Sequence, residues 1–260
     1  MQNSMSRLYA FTVLVLLALL QLGGCSAPRS APGDHAAESP IATTLWAQSP
    51  AGGHAPVWQH YKLPGKQPTQ FSSMRYDGRH AMAVTSEASA SMLRRVVRVE
   101  PADLASLRFS WQVPELIEQA DMALREGDDS PVRVVLIFEG DRSKFSAKNA
   151  MLSELARTLT GEELPYATLM YVWCNTRPAG SVIVNPRTDR IRKLVVESGV
   201  NRLKQWVDYE RNIRADYQEV FGKEPGALVG IGIMSDSDNT RSRVKAWYGP
   251  VILGSVPQLR

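Results

Sequence analysis

The pattern of apolar positions predicts a chain built mainly of β-strands after residue 57. Apolar and polar residues alternate strictly over residues 107–113, which places alternate side chains on one face of a strand. Residues 132–138 are almost continuously apolar, as expected of a strand covered on both faces. Other strand candidates are separated by turn-forming residues and span 166–174, 191–197, 228–234 and 244–253, with weaker ones at 58–63, 71–76, 80–86 and 92–99.

Two segments have helical periodicity instead. Residues 144–160 repeat apolar side chains every four positions, which predicts a helix with one apolar face that ends at Gly161. The side chains of that face are Ala147, Met151, Leu155 and Leu159. Residues 212–221 predict a second helix with Asn212 as N-cap and Gly222 as its terminal glycine. A third helix is predicted over residues 115–126.

The order of these elements indicates the fold class. Strands are numerous, helices are few, and the two do not alternate steadily, so a parallel α/β sheet is disfavoured. We expect a mostly β fold, a two-sheet antiparallel sandwich of the jelly-roll type with two or three covering helices. An α+β fold with one open antiparallel sheet is the alternative.

The first residues have the pattern of an export signal. Arg7 is the only charged residue in 1–24, and the apolar run 11–20 is shorter than the roughly 20 residues that span a bilayer. Cys25 follows small residues in a way that resembles the lipobox of bacterial lipoproteins, in which the cysteine is lipidated and the signal is removed. An ordinary signal peptide or an uncleaved anchor are the alternatives.

The lipobox resemblance implies a location and a domain plan. A lipid on Cys25 would hold the protein at the cell envelope, and Ser26 in the next position favours the periplasmic face of the outer membrane. Residues 25–56 are rich in Ala, Pro and Ser and predict a disordered tether, because they lack the apolar residues needed for a core. Residues 57–260 are long enough for a single sandwich domain.

Charge and motif content exclude several classes of function. The net charge is only +4 and basic residues are interspersed with acids, so nucleic acid is not an expected partner. No zinc-type spacing of His and Cys, no Gly-x-Ser-x-Gly elbow and no glycine-rich phosphate loop occur in the sequence. We therefore predict no catalytic residue and no cofactor, with calcium as the single metal left open.

A charge inside the most apolar strand predicts an ion pair. Arg133 is the only charged residue of that strand, and Asp128 and Asp129 come just before it. An isolated buried charge is costly, so Arg133 should pair with Asp128, Asp129 or Asp121. A salt bridge that fixes a loop to the sheet is favoured over a ligand site.

A second polar cluster follows the strand predicted over 228–234. Asp236, Asp238 and Asn239 resemble the start of an EF-hand loop, but Arg241 and Trp247 stand where that loop needs Gly and Glu. An EF-hand is therefore excluded. A different calcium arrangement at Asp236 and Asp238 stays open, and turn hydrogen bonds are favoured over it.

Aromatic side chains suggest contacts with sugars. Trp173, Trp247 and Tyr248 could form a stacking platform for sugar rings, although such residues also fill the cores of sandwiches. A glycosidase would need two carboxylates roughly 5–10 Å apart, and distances along a chain do not show such a pair.

An ordered set of motifs over residues 57–255 resembles the bacterial domain-of-unknown-function family DUF3047. The resemblance brings no established activity, and at the level of the fold it implies a jelly roll similar to galactose-binding domains. Pro250 replaces the acidic residue usual after Tyr-Gly. The motifs are Phe109 to Val113, Asp128-Asp129 with Arg133 and Phe138, Tyr171 to Trp173, Trp206, Arg211 to Ile213, Asp216-Tyr217, Phe221-Gly222, Asp236 to Thr240 and Trp247 to Val251.

Three functions are compatible with the sequence. The preferred one is a non-catalytic envelope lipoprotein whose sandwich binds a glycan or another extended ligand. The second is a carbohydrate-active hydrolase using Asp or Glu pairs. The third is a structural or assembly partner of another envelope protein.

Overall fold

The computed structural model describes residues 58–254, and within them thirteen strands form two packed sheets accompanied by two α-helices. This arrangement confirms the predicted mostly β sandwich. The predicted signal, Cys25 and the predicted tether lie outside the described residues.

The sheets have seven and six strands. The seven-stranded sheet has the order β1-β4-β11-β6-β7-β9-β8; the six-stranded sheet has the order β10-β5-β12-β3-β2, with β13 added beside β5. The helices are α1 (Ala147–Thr160) and α2 (Ile213–Phe221). The strands are β1 (Gln59–Lys62), β2 (Gln70–Tyr76), β3 (Arg79–Glu87), β4 (Ala90–Val99), β5 (Ser106–Gln112), β6 (Ser130–Phe138), β7 (Ala167–Cys174), β8 (Val182–Val184), β9 (Ile191–Ser198), β10 (Trp206–Asn212), β11 (Leu228–Asp236), β12 (Arg243–Tyr248) and β13 (Ile252–Leu253).

One strand pair departs from the expected antiparallel arrangement. β7 and β9 are parallel, with Thr168 opposite Ile191. A parallel pair needs a connection of a dozen or more residues, and the segment 175–190 meets that requirement. The same connection contains β8, which pairs antiparallel with the far side of β9. The seven-stranded sheet is therefore mixed.

The burial of β5 and β6 agrees with the apolar patterns of their sequences. Leu107, Phe109 and Trp111 of β5 point into the core between the sheets, as their alternation predicts. The continuous apolar run of β6 is buried on both faces. Its residue Leu136 lies in the core between the sheets, whereas Val135 packs in a second apolar cluster on the outer face of the seven-stranded sheet.

Helix α1 ends at Gly161 as predicted but begins three residues later than predicted, at Ala147, and its apolar face does not point into the protein. The Ser146 side chain caps its start and Gly161, with a positive φ, ends it. Its apolar face nevertheless points to solvent: Met151, Leu155 and Leu159 are 65%, 53% and 59% exposed.

Polar contacts explain this orientation of α1. Asn149 is only 2% exposed; its Nδ2 donates to Asp189 Oδ1 at 2.6 Å, and its Oδ1 accepts from Thr188 Oγ1 at 2.8 Å. The Ser153 hydroxyl accepts the Leu164 backbone N–H at 3.2 Å. Because buried polar groups need partners, these bonds hold the polar face of α1 against the protein.

Helix α2 agrees with its prediction. The Asn212 side chain accepts the Ala215 N–H at the first turn, and Gly222 ends the helix in the left-handed region. Ile213, Tyr217 and Val220 enter the core between the sheets. Neither described helix is long and apolar enough to cross a membrane.

The third helix predicted over 115–126 is wrong. Apart from a short 3-10 turn at Arg125–Gly127, this segment consists of turns and irregular backbone. The Asn175 side chain donates to the carbonyl oxygens of Ile117 and Ala120 at 2.7 and 3.2 Å, and the Asp121 N–H donates to the Gly127 carbonyl. Because these carbonyl oxygens accept hydrogen bonds from Asn175 and Asp121, they do not form helical hydrogen bonds. The contacts instead hold the segment on the outer face of the seven-stranded sheet.

The orientation of α1 makes a stability prediction. We expect Leu155→Gln to change the free energy of unfolding by no more than about 0.5 kcal/mol, because the side chain is already exposed. Asn149→Leu should cost about 1–3 kcal/mol, because it leaves buried partners without their hydrogen bonds. Denaturant unfolding followed by tryptophan fluorescence measures both. A Leu155→Gln loss as large as that of Asn149→Leu would contradict the orientation.

Candidate functional site

Arg133 lies at the centre of a polar cluster on the outer face of the seven-stranded sheet. It is 3% exposed, and its Nη2 lies 2.6 Å from the carbonyl oxygen of Asp128 and 3.1 Å from Asp128 Oδ1. The same nitrogen lies 3.3 Å from Asp236 Oδ2. The predicted pairing of Arg133 with Asp128 is confirmed, whereas Asp121 pairs with Arg177 at the surface.

Lys193 of β9 is a member of the cluster that the sequence reading missed. Its side chain is fully buried; Nζ lies 2.7 Å from Asp128 Oδ1 and 3.0 Å from the Met122 carbonyl oxygen. Burial, together with the nearby Arg133, lowers the pKa of Lys193 to about 8, although Asp128 opposes this shift. The reasoning applied to Arg133, a charge inside a strand with apolar neighbours, would also have found Lys193.

Asp129 fixes the loop that follows β11. Its Oδ1 accepts the backbone and side-chain N–H groups of Asn239 at 3.2 and 2.9 Å, and its Oδ2 accepts the N–H and hydroxyl of Thr240 at 2.7 and 2.6 Å. Burial raises the pKa of Asp129, but these four hydrogen bonds outweigh burial and hold the pKa below its ordinary value. These bonds join residues about 110 positions apart, so they differ from the local turn hydrogen bonds that the sequence favoured for Asp236 and Asp238.

Asp236 and Asp238 complete the cluster. Asp236 is 6% exposed, and burial holds the pKa of its carboxyl well above the usual range despite the neighbouring Arg133. Its Oδ1 accepts no hydrogen bond from the part of the chain that the structure describes. Asp238 is more accessible and forms a salt bridge with Lys66. Oxygens from Asp129, Asp236 and Asp238 all lie within 4.8 Å of one another.

The cluster is closed to a large substrate. Asp128, Asp129 and Arg133 are each no more than 3% exposed, and Asp128 is further bound by Asn185 Nδ2 at 2.9 Å. A glycosidase must admit a sugar between its two carboxyl groups. These enclosed and paired carboxylates therefore favour a structural role over hydrolysis.

All three aromatic candidates are buried, two of them in the core between the sheets and Trp247, 6% exposed, on the outer face of the six-stranded sheet. Trp173 is 1% exposed, and its Nε1 donates to the Gly199 carbonyl at 2.9 Å. Tyr248 is fully buried; its hydroxyl donates to the Met234 carbonyl at 2.6 Å and accepts the Arg133 N–H at 3.0 Å. Both rings belong to the core between the sheets, so neither presents a face to a ligand.

Trp247 lies instead on the outer face of the six-stranded sheet. Its ring stacks on Tyr76 with centroids 3.8 Å apart and planes 3° from parallel, and Trp206 meets Tyr76 edge to face at 6.5 Å. Gln112 lies between the two tryptophans in the strand register, opposite Trp206 on one side and Trp247 on the other. We call Tyr76, Gln112, Trp206 and Trp247 the aromatic face.

Charged and unpaired polar groups surround the aromatic face. Arg79 lies 5.0 Å above the Trp206 ring and makes two hydrogen bonds, of 2.6 and 3.1 Å, to Asp208. Lys245 Nζ lies 5.1 Å from the Trp247 ring. Within residues 58–254, Nε1 of Trp206, Nε1 of Trp247 and Oε1 of Gln112 lack hydrogen-bond partners.

Strand alternation alone could have found part of the aromatic face. In β12, Trp247 shares a face with Arg243 and Lys245, opposite the core residues Ala246 and Tyr248. The presence of Tyr76 and Trp206 in the aromatic face depends on strand order, because β2 and β10 are the two edge strands of that sheet. No local pattern specifies that order.

A surface cavity of about 380 Å³ lies over β4, β6 and β11, away from both regions. The salt bridge of Arg94 with Glu162 lies at its side, with two contacts of 2.5 and 2.7 Å, and Ile137 and Gly230 form part of its floor. None of the residues predicted as site residues lines it.

Comparisons with known proteins give one family and, among solved structures, only weak likeness. The model of the family described as "Protein of unknown function (DUF3047)" matches residues 56–252. Among curated proteins, no significant match is found. Solved structures with similarity include the xyloglucanase domain of NopAA, a type three effector from Sinorhizobium fredii in complex with cellobiose. That domain is 10% identical with a TM-score of 0.37, over 76% of this chain and 93% of the other.

The polar cluster predicts a large effect of removing one carboxylate. Asp128→Ala leaves Arg133 and Lys193 buried without their shared partner, so we expect a loss of about 3–5 kcal/mol in the free energy of unfolding. The control is Asp208→Ala, which breaks an exposed ion pair with Arg79 and should cost no more than about 1 kcal/mol. Denaturant unfolding measures both, and equal losses would contradict a special role for Asp128.

Proposed function

This chain belongs to the DUF3047 family, and we propose that its sandwich is a non-catalytic module that binds an extended glycan on the aromatic face. The observation that carries this proposal is the pair of partly exposed rings Tyr76 and Trp206, which lies with the buried Trp247 on the outer rather than the core side of the six-stranded sheet. Exposed apolar surface with polar groups at its rim is typical of recognition sites.

The chemistry of the aromatic face suits sugars. A pyranose ring has apolar C–H faces and a rim of hydroxyl groups, so it pairs with aromatic rings that have polar neighbours. Arg79 and Asp208 supply donors and acceptors beside Trp206. The broad outer surface of a sheet favours several consecutive sugar units over one enclosed sugar.

The proposal includes attachment to the cell envelope. Lipid on Cys25 would anchor the protein to a membrane, with residues 25–56 as a tether between the anchor and the sandwich. At the periplasmic face of the outer membrane, a tethered glycan-binding module would hold envelope or exported polysaccharide close to the bilayer.

Catalysis is the less favoured reading, because the acids that the sequence singled out are enclosed in the polar cluster. Hydrolysis would require carboxylates beside the bound sugar. Asp208, a carboxylate beside the aromatic face, is engaged by Arg79. A binding role needs no such pair.

A second candidate function is an assembly partner of another envelope protein. The exposed apolar side chains Met151, Leu155 and Leu159 of α1 favour it, since contiguous exposed apolar surface marks interaction sites. Crosslinking in intact cells from position 155 and from position 206 separates the two functions. A stoichiometric protein partner captured from position 155 supports assembly, whereas polysaccharide captured from position 206 supports glycan binding.

The aromatic face makes a binding prediction. Trp206→Ala should weaken glycan binding about tenfold, or by about 1.4 kcal/mol, because it removes a ring that stacks on the sugar. Tyr76→Ala should act in the same direction because Tyr76 joins the two tryptophans. Calorimetry against peptidoglycan fragments and exported polysaccharides, chosen from a glycan array, measures the affinity.

The matched control is Tyr61→Ala. Tyr61 also pairs with an arginine, Arg94 at 4.3 Å, but it belongs to the seven-stranded sheet, so glycan binding should not change. Absence of binding across the whole panel, or equal losses in Tyr61→Ala and Trp206→Ala, would remove the proposal.

The attachment makes a separate prediction. Intact mass spectrometry of the protein from cell membranes should show a chain that begins at Cys25 and has the added mass of lipid. Cys25→Ser should leave the membrane fraction because it has no residue to acylate. An unmodified Cys25 in the wild-type protein would contradict the anchor.

A further inference from the structure

We propose that Asp129, Asp236 and Asp238 bind one divalent cation of the calcium class. This inference concerns the polar cluster and is independent of glycan binding. It assigns to the cluster a ligand that ties together two loops of the sandwich.

The spacing of the three carboxylates fits such an ion. Asp129 precedes β6, Asp236 ends β11, and Asp238 lies in the loop from β11 to β12. One oxygen from each lies within 4.8 Å of the others. Calcium binds oxygen at about 2.4 Å, so two ligands on opposite sides of the ion are about 4.8 Å apart. Three oxygens within that limit can therefore surround one calcium ion.

The unsatisfied oxygen of Asp236 is a separate observation that points to the same ligand. This carboxyl group is more than nine-tenths buried; its Oδ2 faces Arg133, and its other close polar neighbour is the carboxyl group of Asp238, which is a second acid. Its Oδ1, which has almost no contact with solvent, accepts nothing from residues 58–254. A buried acceptor normally has a partner, and a cation held by the neighbouring carboxylates would supply it.

The carboxyl groups of the cluster outnumber the buried basic side chains beside them. Four carboxyl groups meet here, from Asp128, Asp129, Asp236 and Asp238, and the buried basic side chains are Arg133 and Lys193. Lys66 reaches the cluster from the surface and contacts Asp238 alone. A divalent cation would take over Asp238 and release the partly exposed Lys66 to solvent.

Asp129 must exchange one of its hydrogen bonds to join the site. Both of its oxygens already accept two hydrogen bonds from Asn239 and Thr240. The amide of Asn239 and the hydroxyl of Thr240 each have an oxygen of their own, and such neutral oxygens are ordinary calcium ligands. Either side chain can therefore turn from donating to Asp129 to binding the ion.

The ligand set favours calcium over magnesium. Magnesium demands near-ideal octahedral geometry and keeps several waters, whereas calcium accepts six to eight oxygens in flexible arrangements. The mixture of carboxylate, amide and hydroxyl oxygens in this enclosed cluster fits the second description.

The test uses the full-length protein, stripped of metal with EDTA, and calcium chloride as the probe. We expect calcium to raise the Tm in a saturable way, calorimetry to show one site per chain, and magnesium to bind at least tenfold more weakly. Asp238→Asn should weaken calcium binding at least tenfold. No calcium-dependent heat and no change in Tm for the wild-type protein would overturn the proposal.

Asp236→Asn separates a metal ligand from a purely structural residue. It should abolish the calcium-dependent rise in Tm, and the Tm of the metal-free variant should be lower than that of the metal-free wild type, because the buried Arg133 loses an ion pair. The control Asp103→Asn, an exposed acid outside the cluster, should keep the full response. A full calcium response in both Asp236→Asn and Asp238→Asn would refute the assignment, and Asp238→Asn decides alone if Asp236→Asn does not fold.

Discussion

The buried charge of Arg133 is the constraint that organises the seven-stranded sheet. A guanidinium inside a strand covered on both faces must be neutralised by hydrogen-bonded carboxylates, because an unpaired ion there would outweigh much of the stability of the domain. Asp128 and Asp236 meet this requirement from opposite sides of β6. Their convergence also brings in Lys193, which shares Asp128 and binds the Met122 carbonyl. One charge thus joins three strands and a loop.

The outer faces of the two sheets differ in what covers them. The outer face of the seven-stranded sheet is covered by the segment 115–129, whose polar backbone is satisfied by Asn175 and whose Asp128 meets Arg133. Among residues 58–254, no such segment covers Tyr76 and Trp206 on the outer face of the six-stranded sheet, and these two rings are partly exposed. The polar cluster and the aromatic face proposed for glycan binding therefore lie on opposite sides of the sandwich.

Helix α1 shows that local periodicity does not predict the orientation of a helix on the protein. A four-residue apolar repeat specifies that one face of a helix is apolar, but not which way that face points. Burying Asn149 satisfies Thr188 and Asp189, and the protein retains these hydrogen bonds while Leu155 stays in solvent. The same limitation applied to the aromatic residues, since Trp173 and Trp247 have similar apolar neighbours in sequence but lie in the core and on the outer face respectively.

The amino-acid sequence by itself determined the β-rich class, the inward faces of β5 and β6, the glycines that end both helices, the N-cap of α2 and the pairing of Arg133 with an acid just before its strand. These features follow from alternation, helical period and the cost of a buried charge, all of which act over a few residues. Only the tertiary structure decided the parallel pairing of β7 with β9, the burial of Lys193, and the meeting of Tyr76 with Trp247. Those contacts join residues far apart in the chain, so they depend on strand order and on packing across the whole sandwich, which no local pattern encodes.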